Sequence, residues 1–166
     1  CKKAAQFLRE INIEYLEQPI PAWNLDGMAD IRRQTGLALQ ADESVWTVQD
    51  VIAIAKKEAA DVINLKIPKT GGLLKAKKMA AAAEGAGMTC MAGAEGEVAS
   101  AIGAKLHMVA STQNAAHASD FTELSWMEDW ITKEPIEMDK SGYIRVPREP
   151  GLGVSPDEDK IKRWSI

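Results

Sequence analysis

The segment DVINLKIPKTGG, residues 61–72, decides the fold. It opens with the short apolar run Val62-Ile63-Asn64-Leu65, puts Lys66 where that run meets solvent, and closes on Gly71-Gly72. Side chains alternate along a strand, so Asn64 and Lys66 share one face while Ile63 and Leu65 share the other. A lysine at a strand exit, its stem held by apolar neighbours, is partly desolvated. That lowers its pKa and makes it a candidate base at neutral pH. Taken alone, the more ordinary reading is a solvated lysine at a strand end, so the surrounding pattern has to decide.

Outward from this segment the chain alternates strand and helix signals. Residues 1–10 read as the end of a helix with Ala4, Ala5, Phe7 and Leu8 on its apolar side, and with no N-cap ahead of it. Residues 11–16 read as a strand ending at Glu17 and stopped by Gln18-Pro19. A helix over 24–34 takes Asn24 as N-cap and Gly36 as C-cap. A second strand, 37–41, ends at Asp42-Glu43, and Thr47 caps a helix that runs through Glu58. After the 61–66 strand come a helix over 73–84, a strand over 88–92 and a helix over 98–110. A weak strand signal follows at 117–121, then a poor helical signal at 122–131. The strand ends, at Glu17, Asp42, Lys66, Met91 and His117, recur every ~25 residues, the length of one βα unit.

Repeated βα units with apolar strands imply a parallel sheet covered by helices. Five such strands could form an open doubly wound sheet or part of a closed barrel. The barrel is favoured, because Glu17, Asp42 and Lys66 end three successive strands, the face where barrel active sites are built. No GxGxxG or P-loop follows the first strand. A complete (β/α)8 barrel takes ~250 residues, so residues 1–134 are expected to be barrel strands four to eight with their helices, the C-terminal part of a longer protein. Residues 135–166 break the period. They carry Pro and Gly punctuation, a hairpin turn at 139–142 and a short strand at 143–146. This tail is expected to pack outside the barrel, against a capping domain.

Composition narrows the function class. The chain has 166 residues, 46% of them hydrophobic, with a net charge of −4 and a pI of about 5.3. Acidity argues against nucleic acid or an anionic membrane as partner, and no apolar run approaches the ~20 residues of a membrane span. Two cysteines outside any CxxC motif fit a reducing cytoplasm and argue against cysteine-bound zinc.

Glu17, Asp42 and Glu43 offer carboxylate oxygens at neighbouring strand ends, as a hard cation such as Mg²⁺ requires. A cation beside a lysine base suits removal of a proton α to a carboxylate, the metal stabilising the enediolate and Lys66 taking the proton.

The strings YLEQP (15–19), ADES (41–44), NLKIPKTGG (64–72) and PGLGVSPDED (150–159) resemble the enolase superfamily, in its mandelate racemase/muconate lactonizing enzyme family and the muconate lactonizing subgroup. A Lys or His base working with Mg²⁺ is that superfamily's general pattern. The resemblance implies a TIM-like (β/α)7β barrel, with Glu17 and Asp42 as metal ligands from its fourth and fifth strands. Lys66 would be the base from the sixth, and Lys69 a loop lysine. Glu95, in CMAGAEGEVAS (90–100), matches the subgroup's acidic loop as a further catalytic residue. Glu97 would be a helix-start charge. Glu43, Asn64 and Asp120 surround the set as supporting residues, and His107 and His117 take structural roles. The implied cofactor is Mg²⁺, with Mn²⁺ a substitute. The implied partners are a small carboxylate substrate, the N-terminal half with its capping domain, and further copies of the full protein in a homo-oligomer.

The family's third-strand ligand and its Lys-x-Lys pair have no match here, so the chain alone is expected to bind metal poorly and to be inactive. The expected reaction is α-proton abstraction as in muconate cycloisomerase-like isomerases. A racemase, epimerase or dehydratase (a lyase) shares its first step. A Schiff-base aldolase using Lys66 and a non-catalytic half-barrel that only assembles or binds are the competing readings.

Overall fold

The structure is a computed structural model that describes residues 1–127 and 129–165. In chain order its elements are α1 (Lys2–Glu10), β1 (Leu16–Glu17), α2 (Leu25–Thr35), β2 (Leu39–Ala41), α3 (Val48–Lys57), β3 (Val62–Leu65), α4 (Ile67–Thr70), α5 (Leu73–Gly85), β4 (Thr89–Ala92), α6 (Ala99–Ala110), α7 (Glu123–Trp126) and α8 (Glu158–Trp164). Parallel neighbours cannot be joined by a tight turn, so each strand is followed by a crossover that carries a helix. The strands accordingly lie side by side in sequence order, β1-β2-β3-β4, all parallel.

Both faces of the sheet are buried, but they are chemically different. Leu39, Ala41, Ile63, Leu65, Cys90 and Ala92 point outward and form one core with Met28 and Ile31 of α2, Val51 and Ile54 of α3, and Ala76, Met79, Ala80 and Ala83 of α5. The alternate positions Gln40, Val62, Asn64 and Met91 are buried on the inner face, outside that core. Among the described residues neither amide atom of Gln40 has a hydrogen-bond partner.

The sheet is curled. The weak strand signal at 117–121 does not become a strand, yet that segment borders β4. Cys90 N–H donates to the Asn114 carbonyl at 2.7 Å, and Asp120 N–H donates to the Ala92 carbonyl at 2.8 Å. Between these two bonds His117 turns to the inner face, 2.8 Å from Thr89 Oγ1 and 2.8 Å from Glu14 Oε1. Its ring meets Tyr15 edge-on at 5.2 Å. Residues from the two sides of the sheet touch across its concave face, as in an arc of a barrel whose interior is filled by side chains of alternate strands.

Local signals account for the helix ends. Asn24 accepts the Gly27 amide at 2.9 Å, and Thr47 with Asp50 forms a capping box on α3. Gly36 ends α2 at φ 64°, a conformation that carries little cost without a Cβ. Other expectations are revised. The strand expected at 11–16 shrinks to β1, because after α1 the chain turns through Asn12 at φ 58°. Phe7, placed on the apolar side of α1, is 60% exposed. The strand expected at 143–146 reduces to one bridge, Met138 to Ile144, although Gly142 N–H and the Asp139 carbonyl close the expected turn at 3.0 Å. The poor helical signal at 122–131 contains α7, and its residue 128 lies outside the described residues, as does residue 166 at the end of the tail.

The tail lies on the outer side of α6. Ile136, Ile144, Val146 and Val154 pack with Ile102 and Leu106, forming a second apolar cluster with Phe121, Leu124 and Trp130. Gly103 lets it approach, since a Cβ there would stand 2.8 Å from the Leu152 carbonyl oxygen. Helix propensity alone favours Ala over Gly by ~1 kcal/mol. Gly103→Ala is nevertheless expected to destabilise the protein by ~1–3 kcal/mol through overpacking, read by chemical denaturation, with faster proteolytic clipping after residue 147. A stabilised variant would show that the tail is not seated on α6.

Candidate active site

The exits of β1, β2 and β3 are tied together by side chains. Glu17 ends β1, Asp42 follows β2, and Lys66 follows β3 and opens α4. Asp42 is the hub. Its Oδ2 accepts from Lys66 Nζ at 2.6 Å and its Oδ1 from Lys69 Nζ at 2.5 Å, and Lys69 also reaches the Asp42 carbonyl at 2.8 Å. The Asp42 and Lys69 side chains are only 9% and 2% exposed, that of Lys66 17%. α4 makes this possible. Pro68 starts the turn and Gly71, in the left-handed region, ends it. Residues three apart lie on one side of a helical turn, so Lys66 and Lys69 both reach Asp42.

Burial alone would push the Asp42 carboxyl up, but the hydrogen bonds from Lys66 and Lys69 overcome it and hold it below the usual carboxylate range. For Lys66, burial works downward and the bond to Asp42 works upward, leaving it above the usual lysine value, with Glu17 and Glu95 adding to the rise. Lys69 is the lysine pushed down, because its burial outweighs Asp42. The expectation of a lowered Lys66 is therefore overturned: an ion pair wins over desolvation there. Lys69 is not a plain loop lysine but the buried partner of Asp42. The signal for it was legible, two lysines at an i, i+3 spacing straight after a strand.

Glu17 is exposed, and its Oε1 accepts from Asn64 Nδ2 at 2.8 Å, a link that crosses over β2. The Asn64 Oδ1 is buried without a hydrogen-bond partner among the described residues. A Cβ at Gly93 would collide with that oxygen, so the glycine makes room for the amide. In the sequence Gln18 reads only as part of a strand stop. Its Oε1 accepts from the Asp42 amide at 3.0 Å and from the Ser44 amide and hydroxyl at 3.2 and 2.8 Å, which fastens the β1 exit to the β2 exit. It sits at φ 31°, and strained backbone of this kind gathers at functional sites.

Glu95 is exposed in the loop after β4, close enough for its charge to act on both lysines. Asp120 caps its own loop, accepting from Thr122 N–H at 3.0 Å. Glu43 is exposed; its carbonyl accepts from Trp46 Nε1 at 2.9 Å, and no hydrogen bond or ion pair joins it to the Asp42 cluster among the described residues. Glu97, expected as a helix-start charge, lies just before α6 and is buried, paired with Lys105 at 3.3 Å. His107 lies in α6 with Nε2 buried and without a hydrogen-bond partner among the described residues, while His117 belongs to the base of the arc.

The described residues contain no group of three or more His, Cys, Asp or Glu side chains suited to a metal. Glu17 and Asp42 nonetheless fit Mg²⁺ in donor type, since that ion is commonly held by one or two carboxylates with water and substrate filling the rest. A cation taking an Asp42 oxygen would replace one lysine there.

The sequence pattern of the family described as enolase C-terminal domain-like matches residues 1–160. A chloromuconate cycloisomerase from Cupriavidus pinatubonensis is 32% identical over 158 residues, covering 95% of this chain and 42% of that protein. An N-succinyl-L-Arg/Lys racemase from Bacillus cereus is 33% identical over 163 residues, covering 98% of this chain and 43% of that protein. Among solved structures, 2-chloromuconate cycloisomerase from Rhodococcus opacus superposes with a TM-score of 0.93 at 32% identity, covering all of this chain and 47% of the other. The chain thus spans less than half the length of these relatives and corresponds to the C-terminal part of their barrels.

A carboxylate held low by ion pairs adds stability above its unfolded pKa, and that stability is lost as pH falls through the folded value. Asp42→Asn leaves two lysines without their counter-charge, and in the complete protein it is expected to cost about 3 kcal/mol at pH 7. The gap to wild type should close as pH is lowered below the ordinary value of 3.8. Denaturant unfolding at several pH values measures this. A gap that stays constant down to pH 2 would mean the charge is not what stabilises.

Proposed function

This chain belongs to the enolase C-terminal domain-like family, and from that membership we propose that it carries half of an active site that removes the α-proton of a carboxylate substrate. The relatives are isomerases of the enolase superfamily, cycloisomerases and a racemase among them. The observation that carries the reading is the convergence on Asp42: three strand exits meet there, and the amine of Lys66 lies 2.6 Å from a carboxylate suited to a cation.

Glu17 and Asp42 would hold Mg²⁺, which when bound supplies positive charge where the substrate carboxylate accumulates negative charge. Lys66 is the base. As long as it donates to Asp42 Oδ2 it is an ammonium and can take no proton, so its activation requires release of that bond. Lys69 stays on Oδ1 and on the Asp42 carbonyl, which holds the carboxylate in place while Lys66 is free. Asn64 fixes one oxygen of Glu17 and leaves the other available. Glu95, in the loop above, faces the lysines and would contact the variable part of the substrate.

A cycloisomerase and a racemase share this proton removal and differ in their later steps. Both kinds of relative match at similar identity, 34% for a muconate cycloisomerase and 33% for the racemase, and product analysis separates the two. The test is exchange of the α-proton in D₂O by the complete protein with Mg²⁺, monitored by NMR over a panel of N-acylamino acids and unsaturated dicarboxylates. Lys66→Ala is expected to slow exchange by ~10²–10⁴-fold and to leave the fold intact. Glu17→Gln should raise the Mg²⁺ concentration needed for half-maximal rate. Wild-type exchange in Lys66→Ala would reject the base.

A further inference from the structure

α6, ASAIGAKLHMVA, carries one lysine in an otherwise nearly uncharged helix, and that lysine is buried. Lys105 Nζ donates to the Asp120 carbonyl at 3.0 Å and to the Gly93 carbonyl at 3.3 Å, and pairs with Glu97 Oε2 at 3.3 Å and Glu123 Oε1 at 3.6 Å. It lies 4.6 Å from the centre of the Phe121 ring. Each contact comes from a different stretch: the exit of β4, the loop before α6, the end of the segment beside β4, and α7. Glu97 passes the restraint on, because its Oε2 accepts from the Glu95 amide at 2.8 Å while its own amide donates to Glu123 Oε1 at 3.3 Å.

A buried ammonium is a poor source of net stability, since an apolar side chain of similar volume often does as well or better. What the ammonium supplies that a methionine cannot is direction: five oxygen and ring acceptors drawn to one point. Two of the stretches it draws in carry Glu95 and Asp120, the acids nearest the mouth after β4. Burial would raise the Glu97 carboxyl, but its contact with Glu123, the Glu95 amide and Lys105 hold it low; burial and the Glu97 carboxyl hold Glu123 high. The Glu97 carboxylate faces the Lys105 ammonium at 3.3 Å.

We propose that Lys105 is a positioning residue for substrate binding, a buried ammonium that fastens the Glu95 loop and the Asp120 loop to α6 and so sets the distance between them. Their role in holding substrate rests on the proton-abstraction reading; the fastening itself does not. Lys105 touches neither Lys66 nor Asp42, so its loss acts on recognition and not on the proton-transfer step.

The test uses the complete protein with Lys105→Met and Lys105→Arg, each read in two ways. Amide hydrogen exchange should rise about tenfold or more at 93–97 and at 118–124 in Lys105→Met, with 62–65 unchanged, because loops that lose their anchor open locally. In Lys105→Arg it should return close to wild type. In the D₂O assay Lys105→Met should raise KM about tenfold with kcat within about threefold, as expected for misplaced binding groups. Should Lys105→Met fail to fold, Glu97→Gln, which keeps size but removes the charge that faces Lys105 and accepts from the Glu95 amide, is expected to loosen 93–97 and to raise KM in the same sense. Loop exchange that is unchanged, or that rises equally in the strands, overturns the proposal. So does a fall in kcat at constant KM. An inactive wild type would sink the proton-abstraction reading, and the exchange data would still decide whether Lys105 fastens the two loops.

Discussion

One carboxylate held between two ammonium groups organises the open end of this sheet. Asp42 is nearly out of water, and an anion there is tolerable only because each of its oxygens has a cation. That requirement shapes its surroundings. α4 must form a turn so that two lysines can reach the same residue, Pro68 and Gly71 bound that turn, and Gln18 must twist to take the Asp42 amide. The same pairing decides the state of Lys66. In isolation its burial would favour a neutral amine, and beside Asp42 it is an ammonium. Reactivity at this site is therefore governed by what else competes for Asp42, a property of the cluster and not of the lysine.

The parts of this arrangement that derive from periodicity were readable in the chain. Strand exits spaced by one βα unit placed Glu17, Asp42 and Lys66 on one side of a parallel sheet, and Asn24, Thr47 and Gly36 marked helix ends by local chemistry that acts within a few residues. What could not be read was set by contacts distant in sequence. Whether Lys66 is raised or lowered depends on a carboxylate 24 positions away, and nothing in NLKIPKTGG reveals how close the two come. Glu97 reads as a helix-start charge in the sequence because its partners, Lys105 and Glu123, lie on other elements. The strand expected at 11–16 is shortened for a local reason: the chain spends most of those residues turning after α1.

Two charge clusters sit on either side of the loop that succeeds β4, and they are built in opposite senses. Around Asp42 two cations share one anion, and the excess is positive. Around Lys105 one cation meets two acids, and the Glu123 carboxyl is pushed up by burial and by Glu97. Glu95 stands between them, its charge felt by Lys66 and Lys69 and its backbone held by Glu97. The loop is thus drawn by electrostatics toward one cluster and tied by hydrogen bonds to the other, which is how an exposed acid can keep a defined position on a short irregular segment.

The edge of the sheet has a consequence of a different kind. β1 is two residues long, and Gln18 at positive φ with Pro19 behind it ends any further ladder. So short a strand offers few main-chain groups to whatever lies beside it in the complete protein.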